Sequence, residues 1–189
     1  MIKEIIKWII SGMQTSPPAI LKQKIVKKYA NKFSINLFVE TGTFYGSMVY
    51  ATKNVFEKIY SIELDNYFYK RAKNLFLRYK HISIIQGDSA EILPEIISKI
   101  NQPCLFWLDA HYSGGNTAKG EIETPILQEL NYILNNSKFD NVILIDDAQY
   151  FIGENDYPTL RELRTLISKK NHNYCFIVKN DIIRLHKKV

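Results

Sequence analysis

Acidic residues follow almost every apolar run of strand-like length in this sequence. They are Glu40, Glu63, Asp88, Asp109 and the adjacent pair Asp146 and Asp147. In an open parallel sheet the carboxyl ends of the strands meet at one edge, and ligands bind there. Carboxylates at the edge of an apolar sheet are costly unless they meet cations, metals or hydrogen-bond donors. The pattern therefore indicates a site for a positively charged ligand.

A turn that contains Glu40, Thr41, Gly42, Thr43 and Gly46 joins the first predicted strand to its helix. Gly42 would let the backbone approach a ligand closely, and the following helix would offer free N–H groups. A dinucleotide fingerprint needs a glycine at position 40, where this chain has a glutamate that would repel a pyrophosphate. A dehydrogenase is therefore disfavoured. An ordinary strand–turn–helix joint with an incidental acid is the alternative interpretation.

The spacing Glu-x-Gly-x-x-x-Gly, from Glu40 to Gly46, resembles the first motif of class I S-adenosylmethionine-dependent methyltransferases. In that family the acid and the glycine face the methionyl part of the cofactor. The resemblance implies a set of cofactor-binding residues that continues along the sheet edge. The set consists of Glu40, Thr41, Gly42, Thr43, Gly46, Glu63, Asp88, Ser89 and Asp109.

Two further acids in that set have competing interpretations. Glu63 lies about 20 residues past the glycine turn, where a carboxylate can accept hydrogen bonds from ribose hydroxyls. Asp65 is its close competitor, for which we favour a helix N-cap role. Asp88, followed by Ser89, resembles the family's adenine-contacting acid. Capping of the next helix is the alternative for Asp88, and the two roles can coexist.

Asp109, Asp146 and Asp147 together offer three oxygen ligands at neighbouring strand ends. Such a set suits Mg²⁺, Mn²⁺ or Ca²⁺ better than zinc. The pattern is similar to metal-dependent O-methyltransferases, particularly the macrocin-type sugar O-methyltransferases, whose metal ligands are a strand-4 aspartate and an Asp-Asp pair after strand 5. Acids that are hydrogen-bonded to loop amides are the alternative interpretation.

His111 stands where those enzymes usually have a second acid. The unperturbed pKa of histidine, about 6.5, suits proton removal near neutrality. We therefore predict His111 and Asp109 as the catalytic residues. A structural or substrate-binding histidine at position 111 is equally compatible with the sequence.

The order of apolar segments predicts an α/β fold. Strands are predicted over residues 35–40, 58–63, 82–86, 104–108, 141–145, 174–178 and 182–186, and helices over 45–54, 66–79, 89–100, 125–136 and 158–170. Alternating strands and helices imply a doubly wound, Rossmann-like and mostly parallel sheet, to which the terminal hairpin adds an antiparallel strand. An antiparallel seventh strand is also a feature of class I methyltransferases.

The length of 189 residues predicts one globular unit. We divide it into an N-terminal helical cap, residues 1–34 with helices over 2–12 and 19–32, and a methyltransferase domain, residues 35–189. Residues 1–33 hold seven lysines and one glutamate, which accounts for the net charge of +6. This charge would suit an anionic partner such as a membrane surface, a nucleic acid or a phosphorylated substrate, or it marks a solvated helix face.

Both cysteines, Cys104 and Cys175, fall inside strand-like apolar runs. Buried thiols are therefore expected instead of a disulfide, which favours a reducing compartment and a cytoplasmic location. The opening apolar stretch is interrupted by Lys3, Glu4 and Lys7, so neither a secretory signal nor a transmembrane segment is predicted.

These features predict methyl transfer from S-adenosylmethionine to an oxygen of a small hydroxylated acceptor, a sugar or natural product, with a divalent metal. Tyr112, Tyr150 and Phe151 would line the acceptor pocket or serve only loop packing. The N-terminal helices could form a homodimer face. Metal-independent methylation of nitrogen or nucleic acid is an alternative, although the Asn-Pro-Pro-Tyr type motif is absent and nucleic acid is not favoured. A noncatalytic nucleotide-binding module is another.

Overall fold

Strands and helices alternate along the chain of this computed structural model, which describes residues 2–12, 16–110, 124–136 and 138–188. The strands are β1 Leu37–Thr41, β2 Lys58–Glu63, β3 Ile82–Gln86, β4 Cys104–Leu108, β5 Val142–Ile145, β6 Tyr174–Lys179 and β7 Ile182–Lys187. The helices are α1 Ile2–Ile10, α2 Ala19–Phe33, α3 Ser47–Thr52, α4 Asn66–Phe76, α5 Ser89–Lys99, α6 Ile126–Asn136 and α7 Leu160–Lys170. A short 3-10 helix spans Ala148–Tyr150.

All seven strands form one sheet in the order β3-β2-β1-β4-β5-β7-β6. β1 to β5 run parallel, whereas β7 pairs antiparallel with both β5 and β6. The predicted fold class, a mostly parallel Rossmann-like sheet with an antiparallel C-terminal strand, is confirmed. The strand order reverses between β1 and β4, so their carboxyl ends border the crevice where such sheets bind ligands.

Successive residues of the central strands pack on opposite faces of the sheet. Val39 contacts the layer formed by α5, α6 and α7, whereas Phe38 and Trp107 contact the layer of α2, α3 and α4. Both layers exclude water, which explains why the strands are continuous apolar runs instead of alternating ones. Because side chains alternate along a strand, Glu40 lies on the α2 face and Thr41 on the opposite face.

The second helix covers one face of the sheet near the acidic edge. It buries Ile25, Val26 and Tyr29, and it packs against α3, β4 and β5. The helix ends where Ser34 adopts a left-handed conformation and the N–H of Ile35 bonds to Ala30. This cap keeps Ile35 out of the first strand, so β1 begins at Leu37 and not at residue 35 as predicted.

Other element boundaries differ from the predictions by a few residues. The helix predicted over 45–54 is shorter, because Gly46 has a φ of +75° and α3 begins only after it. The helix predicted over 66–79 ends at Phe76. Cys104 and Cys175 are both free thiols, and Cys104 is buried as expected, whereas Cys175 on the edge strand β6 is only partly buried. Within the part of the chain that the structure describes, no helix is long and apolar enough to cross a membrane.

Candidate functional site

The acids at the strand ends lie along one edge of the sheet. The N–H of Asp109 donates to the carbonyl of Thr41 at 3.1 Å, and the N–H of Asp146 donates to Leu108 at 3.0 Å. At the other side of β1, the N–H of Gly87 donates to Glu63 at 3.0 Å. These bonds extend the parallel ladder past the strand ends. The acids at the carboxyl ends of β1, β2, β3, β4 and β5 therefore occupy a common edge, as the sequence predicts.

Glu40 is a buried carboxylate with only 1% of its surface exposed. The hydroxyl of Ser61 on β2 donates to its Oε2 at 2.5 Å, and that hydroxyl also lies 2.6 Å from Thr43 Oγ1. Burial, followed by repulsion from Asp109 and Glu63, raises the pKa of Glu40 well above its usual value. A cation placed beside Glu40 would favour the charged form, so the position suits a positively charged ligand.

A cavity of about 160 Å³ opens between the N-terminal segment and the sheet edge. Its walls include Lys22, Glu40, Gly42, Thr43, Trp107 and Asp109. The cavity therefore gathers residues of the glycine turn, of the neighbouring strand end and of α2. Gly46, which the sequence also assigned to cofactor binding, packs beside Phe76, where an added Cβ would stand 2.8 Å from the ring.

Glu63 is held in place by the backbone on both sides of it. Its Oε2 accepts from the N–H of Phe44 at 2.6 Å, and its Oε1 accepts from the N–H of Asp65 at 2.9 Å. Burial raises the pKa of Glu63 despite these bonds. A carboxylate oxygen has a second lone pair, so ribose hydroxyls could still bind there. Asp65 caps α4 by accepting from Tyr67 and Phe68, which confirms its predicted role.

Asp88 caps α5, since its Oδ1 accepts from the N–H of Ala90 at 2.8 Å. The neighbouring Ser89 is 5% exposed and bonds to the carboxylate of Glu129 on α6. The hydroxyl of Thr41 bonds to the same carboxylate. Thr41 is therefore engaged on the sheet face opposite to Glu40. It is fully buried, and its carbonyl oxygen already accepts from the N–H of Asp109.

The sequence interpretation missed Glu129. This residue is 1% exposed, and burial raises its pKa to about 7. Its Oε1 has no hydrogen-bond partner among the residues that the structure describes. The helical spacing of the buried Ile126, Leu130 and Ile133 places position 129 on the same face. That spacing was the available signal for a buried acid.

Asp109, Asp146 and Asp147 form an acidic cluster, in which one carboxylate oxygen from each lies within 4.8 Å of the others. Asp146 and Asp147 are buried. Asp147 has a φ of +52° and precedes the 3-10 helix, and its N–H donates to Asp146 Oδ1 at 3.0 Å. In number and type of donor atom, the acidic cluster fits a divalent cation such as Mg²⁺.

Lys22 of α2 reaches into this acidic cluster. Its Nζ forms a short ion pair with Asp146 Oδ2 and lies 3.8 Å from Asp147 Oδ1. Ser16 donates to the same oxygen of Asp147 at 2.8 Å. The ammonium of Lys22 therefore holds the position beside Asp146 and Asp147 that a divalent cation would need. The sequence predicted a divalent metal beside these acids and gave no role to Lys22, which resembles every other lysine of a basic helix.

The charges of the cluster perturb one another. Burial, then repulsion from Asp109, raises the pKa of Asp146, whereas the Lys22 ammonium acts in the opposite direction and favours the charged carboxylate. Burial lowers the pKa of Lys22, but attraction by Asp146 and Asp147 outweighs it, so the net shift is upward. Lys22 is therefore charged at neutral pH, and the cluster keeps an excess of acidic groups.

The remaining predicted residues lie at or beyond the border of the site. Phe151 is 3% exposed and packs edge-on against Tyr157, with ring centroids 5.1 Å apart. Tyr150 is 47% exposed. Phe151 is thus packed in the interior, whereas the ring of Tyr150 is accessible to solvent. His111 and Tyr112 lie outside the described residues.

Solved structures of known proteins share this fold. The O-methyltransferase TomG from Streptomyces achromogenes, solved with S-adenosylmethionine (SAM), is similar with a TM-score of 0.66 and 15% identity, over 98% of this chain and 87% of TomG. The O-methyltransferase from Bacillus cereus, solved with S-adenosylhomocysteine (SAH), is similar with a TM-score of 0.67 and 13% identity, over 98% of this chain and 90% of that enzyme. The SAH-bound methyltransferase PaMTH1 from Podospora anserina is similar with a TM-score of 0.62 and 13% identity, over 98% of this chain and 88% of PaMTH1.

Sequence comparisons give no such relatives: no protein-family model matches this chain, and no curated protein matches it. At 13–15% identity the structural likeness establishes the fold that the chain shares with these methyltransferases.

Proposed function

We propose that this protein is a SAM-dependent methyltransferase that acts on an oxygen of a small hydroxylated acceptor. The observation that carries the proposal is Glu40, a buried carboxylate in the wall of a cavity at the point where the strand order reverses. No described ion pair neutralises Glu40 within the protein. A cofactor with a positive amino group and a positive sulfonium supplies the charge that such a carboxylate needs.

Each part of the cofactor has a candidate partner along the sheet edge. The cavity beside Glu40, Gly42, Thr43 and Asp109 would take the methionyl part. Glu63 would accept the ribose hydroxyls with its remaining lone pairs. The adenine would then extend past β2 toward Asp88 and Ser89. The SAM and SAH bound in the similarly folded TomG and Bacillus cereus enzymes support this assignment.

The reaction needs orientation more than activation, because the sulfonium is already a good leaving group. The acceptor oxygen attacks the methyl carbon in line with the C–S bond; the O–C bond forms as the C–S bond breaks. The sulfur leaves as a neutral thioether, and the acceptor loses its hydroxyl proton. His111, outside the described residues, remains the proposed base, with Asp109 at the cavity wall beside the reacting atoms.

A divalent metal, when bound, would lower the pKa of the acceptor hydroxyl and fix its direction. Asp109, Asp146 and Asp147 would hold it. Because the Lys22 ammonium already contacts Asp146, metal assistance requires this side chain to leave the acidic cluster. Metal-assisted methyl transfer is thus a distinct form of the proposal, and experiments can distinguish it from methyl transfer without a metal.

A small acceptor, such as a sugar or natural product, is proposed in preference to a nucleic acid. Tyr150, which is 47% exposed and lies three residues after Asp147, offers a ring against which such an acceptor could pack. A homodimer through the N-terminal helices is proposed on separate grounds. On α1 the apolar side chains of Ile6, Ile9 and Ile10 are 48%, 54% and 79% exposed.

Titration calorimetry with SAM and SAH tests the cofactor assignment. We expect both to bind. We also expect Glu40→Gln to lower the affinity for SAM more than the affinity for SAH, in which the sulfur is an uncharged thioether. Glu57→Gln, an exposed acid at the opposite end of β2, is the matched control. Absence of SAM binding, or preferential binding of NAD, would refute the proposal. Transfer of a labelled methyl group to a panel of hydroxylated acceptors then separates an enzyme from a noncatalytic module.

A further inference from the structure

The acidic cluster of Asp109, Asp146 and Asp147 is closed by groups of the protein itself. Asp146 uses Oδ1 for the N–H of Asp147 and Oδ2 for the Lys22 ammonium. Asp147 Oδ1 accepts from Ser16 and faces the same ammonium at 3.8 Å. Lys22 and Ser16 both come from the N-terminal segment, far from the acids in sequence. Packing of that segment over the sheet therefore builds a cation into the acidic cluster.

A divalent metal and the Lys22 ammonium cannot share this place. A metal bound by Asp146 and Asp147 would lie about 2–2.6 Å from their oxygens. The ammonium occupies the same space beside those oxygens. Two cations at such a short separation repel strongly in a site with little water. The side chain of Lys22 is only 17% exposed, so its stem is enclosed by the packing of α2 and has little room to withdraw.

Lys22 also reaches the cavity in which the reaction is proposed to occur. It lines this cavity together with Glu40 and Asp109. An ammonium has three N–H groups, and one of them contacts Asp146. Another can donate to an acceptor oxygen in the cavity. A positive donor at this place stabilises negative charge on that oxygen as its proton departs.

We propose that Lys22 is the resident cation of the acidic cluster and replaces a divalent metal there, holding and polarising the acceptor hydroxyl. The part about the acceptor rests on the proposed methyl transfer. The part about the metal does not, because it concerns which cation the three carboxylates hold. The wild-type protein is accordingly active without a divalent metal and binds one weakly.

Titration of the full chain with Mn²⁺ alone tests the metal part of the proposal. Binding is measured as the loss of the electron paramagnetic resonance signal of the free ion. We expect the wild type to bind Mn²⁺ at least ten-fold more weakly than Lys22→Met, in which the acidic cluster has lost its cation. Lys24→Met, an exposed lysine on the same helix, should behave as the wild type. Asp146→Asn added to Lys22→Met should remove the gained affinity.

Micromolar Mn²⁺ binding by the wild type, abolished by Asp146→Asn, would overturn the proposal and favour the metal-assisted form. This titration of the wild type decides the question even where Lys22→Met does not fold, and Lys22→Gln is a polar substitute for that variant. SAM affinity measured on the same samples separates the two proposals. A wild type that fails to bind SAM refutes the methyltransferase, whereas the Mn²⁺ titrations still report on Lys22.

Once an acceptor has been identified, a chelator should change the methyl-transfer rate of the wild type less than two-fold. Lys22→Met should lower the rate about 100-fold, and Lys22→Arg, which keeps the charge, should restore part of it. A rate that collapses with chelator and returns with Mg²⁺ would contradict the role of Lys22 as the cation.

Discussion

The backbone carbonyl oxygen of Asp109 lies 2.5 Å from the position that a Cβ atom on Gly42 would occupy. The backbone segments that follow β1 and β4 are pressed together here, and Gly42 itself has a φ of +86°. A glycine in the turn is therefore required by the protein's own packing. The sequence interpretation gave Gly42 a role in close approach to a ligand, and the structure adds the approach of the neighbouring strand end.

Gly42→Ala should destabilise the protein by roughly 2 kcal/mol or more, since both the left-handed backbone and the clash with Asp109 oppose it. Gly153→Ala is the matched comparison. Its φ is +89°, but the nearest atom to an added Cβ is the side-chain atom Thr159 Cγ2 at 3.0 Å, a less severe approach than the backbone oxygen at 2.5 Å beside Gly42. We expect Gly153→Ala to lower the free energy of unfolding by about 1 kcal/mol. Urea unfolding of the two variants measures the difference, and equal losses would show that backbone strain alone determines the cost.

Glu129 should make stability depend on pH. Burial raises the pKa of Glu129 from 4.5 to about 7, so the folded chain keeps a proton that the unfolded chain loses. Its contribution to stability is therefore complete below pH 4.5 and is lost as the pH rises toward 7. Glu129→Gln lacks this loss, and its stability relative to the wild type should improve by roughly 3 kcal/mol between pH 4 and pH 8.

Unfolding free energies of Glu129→Gln measured across that pH range check this expectation. Glu95→Gln, an exposed position on α5, should follow the wild type at every pH. A constant difference between Glu129→Gln and the wild type would mean that folding does not shift the pKa of Glu129.

Glu63→Ala should raise the dissociation constant for SAM by ten-fold or more, because charged hydrogen bonds to the ribose are each worth about 1.5–3 kcal/mol. Asp65→Ala provides the contrast. It removes the N-cap of α4, which should lower stability by about 1 kcal/mol and leave the affinity nearly unchanged. Calorimetric titrations with SAM distinguish the two variants. Unchanged affinity in Glu63→Ala would remove Glu63 from the cofactor site.

His111→Ala should lower the methyl-transfer rate about 10²- to 10⁴-fold near neutral pH, the range expected for loss of a general base. The loss should shrink at high pH, where the acceptor hydroxyl ionises more readily without help. Rates measured from pH 6 to pH 10 give the profile. A loss that is the same at every pH would indicate a structural or substrate-binding histidine at this position.

Much of the architecture could be predicted because strands and crossover helices depend on local patterns. Six acids at the ends of five apolar runs indicated a shared edge, and parallel strands have their carboxyl ends on one side of a sheet. The N-cap role of Asp65 was also local, since it needs only two nearby N–H groups. The start of β1 was harder to predict from the sequence, because the hydrogen bond between Ile35 and Ala30 depends on how α2 ends.

The sequence by itself determined the doubly wound sheet and the row of acids along its edge, since both follow from periodicity and from the residue at each strand end. Only the tertiary structure decided which cation meets those acids. Lys22 is 124 residues away from Asp146 along the chain, and no spacing rule connects a lysine of an N-terminal helix to an aspartate after the fifth strand. The contact exists because α2 buries its apolar face on β4 and β5, which carries the ammonium to the acidic cluster.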